Sequence, residues 1–197
     1  MNKTPKISII TVSLNGANTI QDTIESILLQ DYKNVEYIII DAESSDGTVD
    51  IVRSFGNKIT YFTSEEDEGI YDAMNKGIKA SSGEIIGLLN SDDFYPNNFI
   101  LSNVVKTFVN NNCDAVYGDL VYVSKYNKDK IVRYWQAGQF SISKVKRGWM
   151  LPHPTFFVKR SVYDKYGLYK TDLKNSADYA MILKLLYKYN IFVKYIP

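Results

Sequence analysis

Asp92 and Asp93 close the stretch Glu84-Ile85-Ile86-Gly87-Leu88-Leu89-Asn90-Ser91-Asp92-Asp93, a short apolar run that stops abruptly on two carboxylates. Side by side in a desolvated site, two like charges repel by about 4 kcal/mol at about 4 Å and an effective dielectric of about 20. A divalent cation relieves that repulsion. Two other apolar runs end on polar side chains: Thr11, Ser13 and Asn15 after the first, Asp41 and Glu43 after the second. Drawn into one crevice, Asp41, Glu43, Asp92 and Asp93 suit a cation that bridges to phosphates, with hard oxygen ligands favouring magnesium or manganese. Each acid can instead cap the helix after its strand, the role assigned to Asp46.

The elements that must position these residues alternate. Residues 7–12 are an apolar, β-branched run ending in a turn cluster at 13–16, which reads as a buried strand. Ile20, Ile24, Ile27 and Leu28 recur at helical spacing within residues 17–30. Residues 35–40 repeat the strand pattern into Asp41, Ser45 or Asp46 caps a helix carrying Val49, Ile51 and Val52, and residues 59–62 form a third strand. A helix over 70–80, a doubly buried strand over 84–89, a helix with Pro96 at its first position running to about residue 109, and a strand over 114–118 continue the series. This βαβαβαβαβ order over residues 1–119 predicts an α/β fold with a mainly parallel sheet and helices on both faces. Parallel strands all point their carboxyl ends one way, so the acids converge at the edge where such sheets bind ligands.

Beyond residue 119 the pattern weakens into strand-like segments at 120–123 and 131–135, loops with Gly138 and Gly148, and two helical stretches. The last helix starts at Ser176 and puts Met181, Ile182, Leu185, Leu186 and Tyr189 on one face. Residues 120–197 read as an appended half that closes over the sheet, within a single domain of 197 residues.

A net charge of +1 gives no reason to expect a polyanion, so nucleic acid is not an expected partner. One cysteine, Cys113, excludes an intrachain disulfide, and one histidine, His153, excludes a site built on a histidine pair. No signal-peptide core follows the N-terminal residues and no run approaches 18 apolar residues, so the cytoplasm is the expected compartment. No Gly-x-Gly-x-x-Gly or Walker-type loop follows the first strand, which argues against a dinucleotide dehydrogenase or an NTPase. That strand ends Thr11-Val12-Ser13, without the acid of a phosphotransfer receiver or an aspartate-nucleophile phosphatase. The 16 tyrosines, many beside lysines in the second half, read as amphipathic surface packing.

Four segments in order carry a resemblance: Ile7-Ser8-Ile9-Ile10-Thr11-Val12-Ser13-Leu14-Asn15, Asp41-Ala42-Glu43-Ser44-Ser45-Asp46-Gly47-Thr48, Gly69-Ile70-Tyr71-Asp72-Ala73-Met74-Asn75-Lys76-Gly77-Ile78, and Asn90-Ser91-Asp92-Asp93. Together they resemble the family 2 glycosyltransferases of GT-A fold, over nearly the whole chain. The resemblance implies a Rossmann-like nucleotide-sugar-binding half over 1–119 and a smaller acceptor-side half over 120–197. It implies a donor, commonly a UDP-sugar, whose sugar passes with inversion to a hydroxyl of a saccharide or lipid-linked saccharide. Surface polysaccharide or glycoconjugate synthesis is the implied setting, with peripheral association at the inner face of the membrane.

Carried over by position, Thr11, Ser13 and Asn15 line the nucleotide pocket and Asp41 approaches the base or ribose. Asp93 ligates the metal, Mn2+ or Mg2+, and Asp92 contacts the ribose or the groups around the metal. Asp72 and Asn75, three apart on one helical face, reach the donor, with Asp67 a weaker candidate. Asp178 in Ser176-Ala177-Asp178-Tyr179 matches the base, and a helix start favours the ionised form a base requires. His153 contacts the metal, the pyrophosphate or the acceptor; Trp135 or Trp149 stacks on a sugar; Lys146 or Arg147 pairs with phosphate. The sequence departs from the pattern at Ala42, where many relatives have a second acid that Glu43 replaces here, and at Asn90, which replaces the first acid of an extended motif. It also stops soon after a strand near residue 191, where relatives continue. Two other readings share the sheet: a sugar-phosphate nucleotidyltransferase, which wants a Gly-rich basic loop where Asn15-Gly16-Ala17-Asn18 stands, and a nucleotide-sugar-binding or scaffolding domain without turnover.

Overall fold

The computed structural model describes residues 4–197. β1 (Ile7–Ser13) is buried along its whole length, as apolar side chains on both faces require of a central strand. The chain continues through α1 (Ile20–Leu28), β2 (Val35–Asp41), α2 (Thr48–Ser54), β3 (Tyr61–Ser64), α3 (Ile70–Ala80), β4 (Ile85–Leu88), α4 (Ile100–Asn111) and β5 (Ala115–Gly118). Then come an antiparallel hairpin of β6 (Leu120–Ser124) and β7 (Asn127–Trp135), α5 (Ile142–Val145), β8 (Phe157–Lys159), α6 (Arg160–Tyr166), α7 (Ala177–Leu183) with a π-helical extension, and β9 (Val193–Ile196). The main sheet has seven strands among the described residues, in the order β3-β2-β1-β4-β8-β5-β9. All its pairings are parallel except those of β8. The α/β class and mainly parallel sheet read from the sequence are therefore present.

Side-chain alternation divides the core between the two faces. Ile7, Ile9, Tyr37 and Ile39 pack with α1, α2 and α4, whereas Ile10, Val12, Ile38 and Ile40 pack with α3, α6 and α7. On the second face Gly77 lets α3 rest directly on β1. A Cβ there would stand 2.3 Å from Ile10 Cγ2, whose side chain is fully buried and has nowhere to move.

The half after residue 119 does more than close over the sheet. β8 inserts antiparallel between β4 and β5, and β9 adds a parallel strand outside β5. Gly87 makes the insertion possible, because a Cβ at that position would lie 2.5 Å from the ring of Phe157, its partner across the pair. A three-residue strand is too short to leave a periodic signature. Helix α4 begins at Ile100, not Pro96. The intervening backbone is taken up by the turn after α1: Gln30 Nε2 donates to Asn97 O at 2.7 Å, Asp31 N donates to Asn98 O at 2.8 Å, and Leu101 N donates to Gln30 Oε1 at 3.1 Å. Ser176 sits at the N-cap of α7 without a side-chain capping bond. Among the described residues no helix is long and apolar enough to cross a membrane.

Gly77→Ala tests the close approach of α3. Alanine gains up to about 1 kcal/mol of helix propensity, but overpacking against Ile10 costs about 1–3 kcal/mol. A lower urea midpoint at unchanged slope is the expected result; a raised midpoint would show that Ile10 can yield.

Candidate active site

Register carries the first three strands to a common edge. Ser13 pairs with Asp41 and Asp41 with Ser64, so the carboxyl ends of β1, β2 and β3 lie in a row. Asp41 is fully buried there. Its carboxylate accepts from Ser44 N at 2.9 Å, Ser44 Oγ at 2.6 Å and Ser64 Oγ at 2.7 Å. Ser44 Oγ in turn accepts from Asn15 N at 2.7 Å, and Asn15 Oδ1 accepts from Ser45 N at 3.0 Å. Asn15 and Asp41 thus lace two loops together, and these bonds, not a free carboxylate, are what the sequence pattern encodes. Glu43 is exposed in the left-handed region at φ 55° and takes no part in the lacing. Asp46 joins the same loops: it accepts from Thr48 N and Thr48 Oγ1 at the start of α2 and from Ala17 N before α1. The Thr48 hydroxyl first, then the Ala17 amide, holds its carboxyl below the usual range.

Thr11 is corrected to a core residue. It is completely buried and bonds Tyr37 Oη at 3.2 Å, because it lies two residues inside the strand end, in the packing with Tyr37. Ser13 differs. Its buried Oγ has no partner among the described residues, and a Cβ on Gly16 would meet it at 2.9 Å and Ser91 Oγ at 3.0 Å.

The loop after β4 carries the acidic pair. Thr23 Oγ1 of α1 holds its backbone, donating to Ser91 O at 3.0 Å and Asp93 O at 2.7 Å. Asp92 is exposed and Asp93 half-buried. Burial first and the Asp92 charge second push the Asp93 carboxyl up to about 6, against an opposing hydrogen bond from Asn90 Nδ2 at 3.3 Å. Among the described residues no lysine or arginine pairs with it. The hydroxyl of Tyr95, two residues on, is likewise buried and unpartnered. Asp92, Asp93 and Tyr95 line a groove of about 570 Å³ with Pro154 and Thr155, so the turn at His153–Thr155 stands at the same edge.

A second cluster lies on the α3 and α7 face. Tyr71 Oη donates to Asp178 Oδ1 at 2.9 Å, and the Tyr71 ring stacks on Tyr169 with centroids 5.9 Å apart. His153 Nε2 bonds Tyr169 Oη at 3.0 Å, so the histidine faces a tyrosine. Burial holds the His153 imidazole below its usual range, and the nearby Asp178 charge only partly opposes this. His153 is thus neutral near pH 7. Asn75 is corrected from donor contact to clamp: its Nδ2 donates to Tyr169 O at 2.9 Å and its Oδ1 accepts from Tyr169 N at 3.0 Å. Asp72 pairs with Lys76 at 3.4 Å and accepts from Glu68 N at 3.3 Å, and Asp67 accepts from Gly69 N, so both acids organise the start of α3. Trp149 is a packing residue whose Nε1 donates to Ala137 O at 3.1 Å, and Trp135 lies beside Arg133. Lys146 sits over the Tyr187 ring and Arg147 donates to Ser143 O. Sequence reasoning missed Tyr71, Tyr169 and the loop serines, whose roles depend on contacts between distant segments. It also missed Asp119, which accepts from Tyr134 Oη, Tyr195 Oη and Ala137 N to fix the base of the hairpin.

The sequence profile of glycosyl transferase family 2 matches residues 8–167. The chain belongs to that family. It is 30% identical over 189 residues to an uncharacterized glycosyltransferase of Mycobacterium tuberculosis, covering 93% of this chain and 70% of the relative. S. aureus TarS in complex with UDP superposes with a TM-score of 0.80 at 19% identity, over 97% of this chain and 57% of that one. The mannosyltransferase PcManGT from Pyrobaculum calidifontis, in complex with GDP-Man and Mn2+, superposes with a TM-score of 0.74 at 20% identity, over 100% of this chain and 56% of that one. These likenesses show the GT-A fold, and the chain spans little more than half of either solved chain.

For a glycosyltransferase of this fold, the acidic pair fits a hard divalent cation by donor chemistry. The described residues contain no cluster of three or more His, Cys, Asp or Glu side chains, so a cation held by this pair would take its remaining ligands from outside that set, as from a donor or water. An ionised Asp93 without a cation should destabilise the fold. Its folded value near 6 lies above the unfolded 3.8, so this penalty is full above about pH 6 and absent below about pH 4. Asp93→Asn should therefore stabilise the protein in chelator by about 1–3 kcal/mol at about pH 8 and change little near pH 4. Urea melts at the two pH values measure this, and equal effects at both would refute the assignment.

Proposed function

We propose that this glycosyltransferase is metal-dependent and inverting, moving a sugar from a nucleotide donor, a UDP-sugar, to an acceptor hydroxyl in surface polysaccharide or glycoconjugate synthesis. The observation that carries the reading is Asp93: a half-buried carboxylate beside Asp92, raised by burial and then by that neighbour, and without a protein cation among the described residues. The UDP in TarS and the GDP-Man with Mn2+ in PcManGT support a nucleotide sugar and a cation in this fold.

In this reading Asp93, with Asp92 beside it, holds the cation, which when bound supplies positive charge to the diphosphate leaving group. The unpartnered hydroxyls of Ser13 and Tyr95 flank the pair and are available to donor oxygens. Asn15 and Asp41 set the loops around the nucleotide, with Asp41 acting through Ser44 and Ser64, and the exposed Glu43 is available to the nucleotide itself. Asp178 takes the proton of the acceptor hydroxyl while that oxygen attacks the anomeric carbon. The bond to the diphosphate breaks and its electron pair stays on the leaving oxygen. Tyr71 keeps Asp178 in place, and a neutral His153 adds no competing charge. The acceptor is a saccharide or a lipid-linked saccharide, with the half from residue 120 on its side.

Release of UDP from a UDP-sugar panel, with and without manganese, tests the class, and binding without any turnover would refute it. Asp93→Asn should abolish manganese-dependent donor binding. Asp178→Asn should leave donor affinity intact while transfer falls by roughly 10²- to 10⁴-fold. Manganese-dependent binding by the first variant, or full transfer by the second, overturns the corresponding role.

A further inference from the structure

The net charge of +1 conceals a division along the chain. Residues 1–119 carry 8 lysines and arginines against 18 acids, and residues 120–197 carry 15 against 4, giving net charges of −10 and +11. Reading the sum alone hides the basic half. Charge separation on this scale points to an anionic partner for one side of the molecule.

The β6–β7 hairpin concentrates the effect. It holds Lys125, Lys128, Lys130 and Arg133 against a single acid, Asp129. Lys128 pairs with Asp22 of α1, whereas Lys125, Lys130 and Arg133 have no carboxylate partner among the described residues. Arg133 instead lies over the Tyr122 ring, 5.2 Å from its centroid. Between the cations the same hairpin exposes apolar side chains: Tyr126 is 95% exposed, Ile131 58% and Val132 59%. Its two strands pair only with each other, so no neighbouring strand covers them.

A soluble polyanion would account for the cations and leave Ile131 and Val132 unexplained. A lipid surface accounts for both. Aromatic and aliphatic side chains enter the headgroup boundary while lysines and arginines face the lipid phosphates. We propose that the β6–β7 hairpin docks the protein on an anionic phospholipid surface, with Lys125, Lys130 and Arg133 against the headgroups and Tyr126, Ile131 and Val132 in the boundary layer. The tie from Lys128 to Asp22 lays the hairpin across the strand-end edge, next to Thr23, which carries the acidic loop. Docking therefore brings that edge toward the surface. The inference does not depend on the transferase reading, since lipid binding is measured without donor.

The test is co-sedimentation with vesicles of phosphatidylcholine alone or of phosphatidylcholine with equimolar phosphatidylglycerol. Binding to the mixed vesicles only, weakening as salt rises, is expected of the unaltered protein; binding to neither, or binding indifferent to salt, overturns the proposal. Replacing Lys125, Lys130 and Arg133 with glutamine should cost about 10²-fold in partition, at roughly fivefold for each lost cation. Tyr126→Ser, Ile131→Ser and Val132→Ser combined should lower partition at least tenfold. Unchanged partition in that combined variant, with soluble polyphosphate bound as tightly as vesicles, would replace the lipid surface by a polyanion. Donor binding without vesicles stays unchanged in both variants, whose folding is checked by circular dichroism.

Discussion

β1 is buried on both faces and hydrogen-bonded along both edges, and its register against β2 and β4 fixes where every loop of the site begins. A shift by one residue would turn Ile10 and Val12 toward the opposite core and Ile9 into the space that Gly77 leaves for Ile10. Because that space has no slack, the strand cannot slide. Ser13 is thereby held opposite Asp41 and Asp41 opposite Ser64, while β4, aligned through Ile10 and Leu88, delivers the acidic loop beyond. α1, which follows β1, closes the arrangement: Thr23 grips the backbone of Ser91 and Asp93, and Gln30 grips the start of α4.

Within this frame the carboxylates fall into two physical kinds. Asp41, Asp46 and Asp119 each accept three hydrogen bonds, and buried or not, they serve as knots between loops. Asp93 has a single weak donor, Asn90, and a like charge as neighbour. A group so placed raises the energy of the folded state when ionised, and a bound cation would relieve that cost, which is why the proposed reading rests on it. Asp178 lies between the two kinds, with one tyrosine hydroxyl fixing one oxygen.

Legibility in the sequence followed the range of the interaction involved. Alternation of strands and helices is local, so the α/β class and the α3 bounds came directly from spacing. The position of the acidic pair was legible because it ends a buried run, and the structure places both carboxylates in the loop after β4. Asn75 was misread because its partner, Tyr169, lies 94 positions away, and a helical asparagine facing a site looks the same as one facing a loop backbone. Thr11 was misread by depth: it shares a face with Ser13 but lies two residues inside the strand end, against Tyr37. Pro96 marked a turn that Gln30, a distant residue, holds open before the helix starts. β8 escaped notice because three residues carry no period, and its place depends on Gly87 having no side chain.

The opposed charges of the two halves bear on the site itself. A nucleotide diphosphate approaching the strand ends meets a segment with a net charge of −10, and the field there discourages an anion. Screening limits what the basic half can do about it, since the Debye length at physiological salt is about 8 Å. A cation held at the acidic loop would offset that field at its source, and the basic hairpin lines the same groove through Tyr122, Val123 and Tyr134. The pairing of Lys128 with Asp22 is the one ion pair among the described residues that joins the two halves. It couples the orientation of the basic hairpin to α1, and through Thr23 to the backbone of the acidic loop.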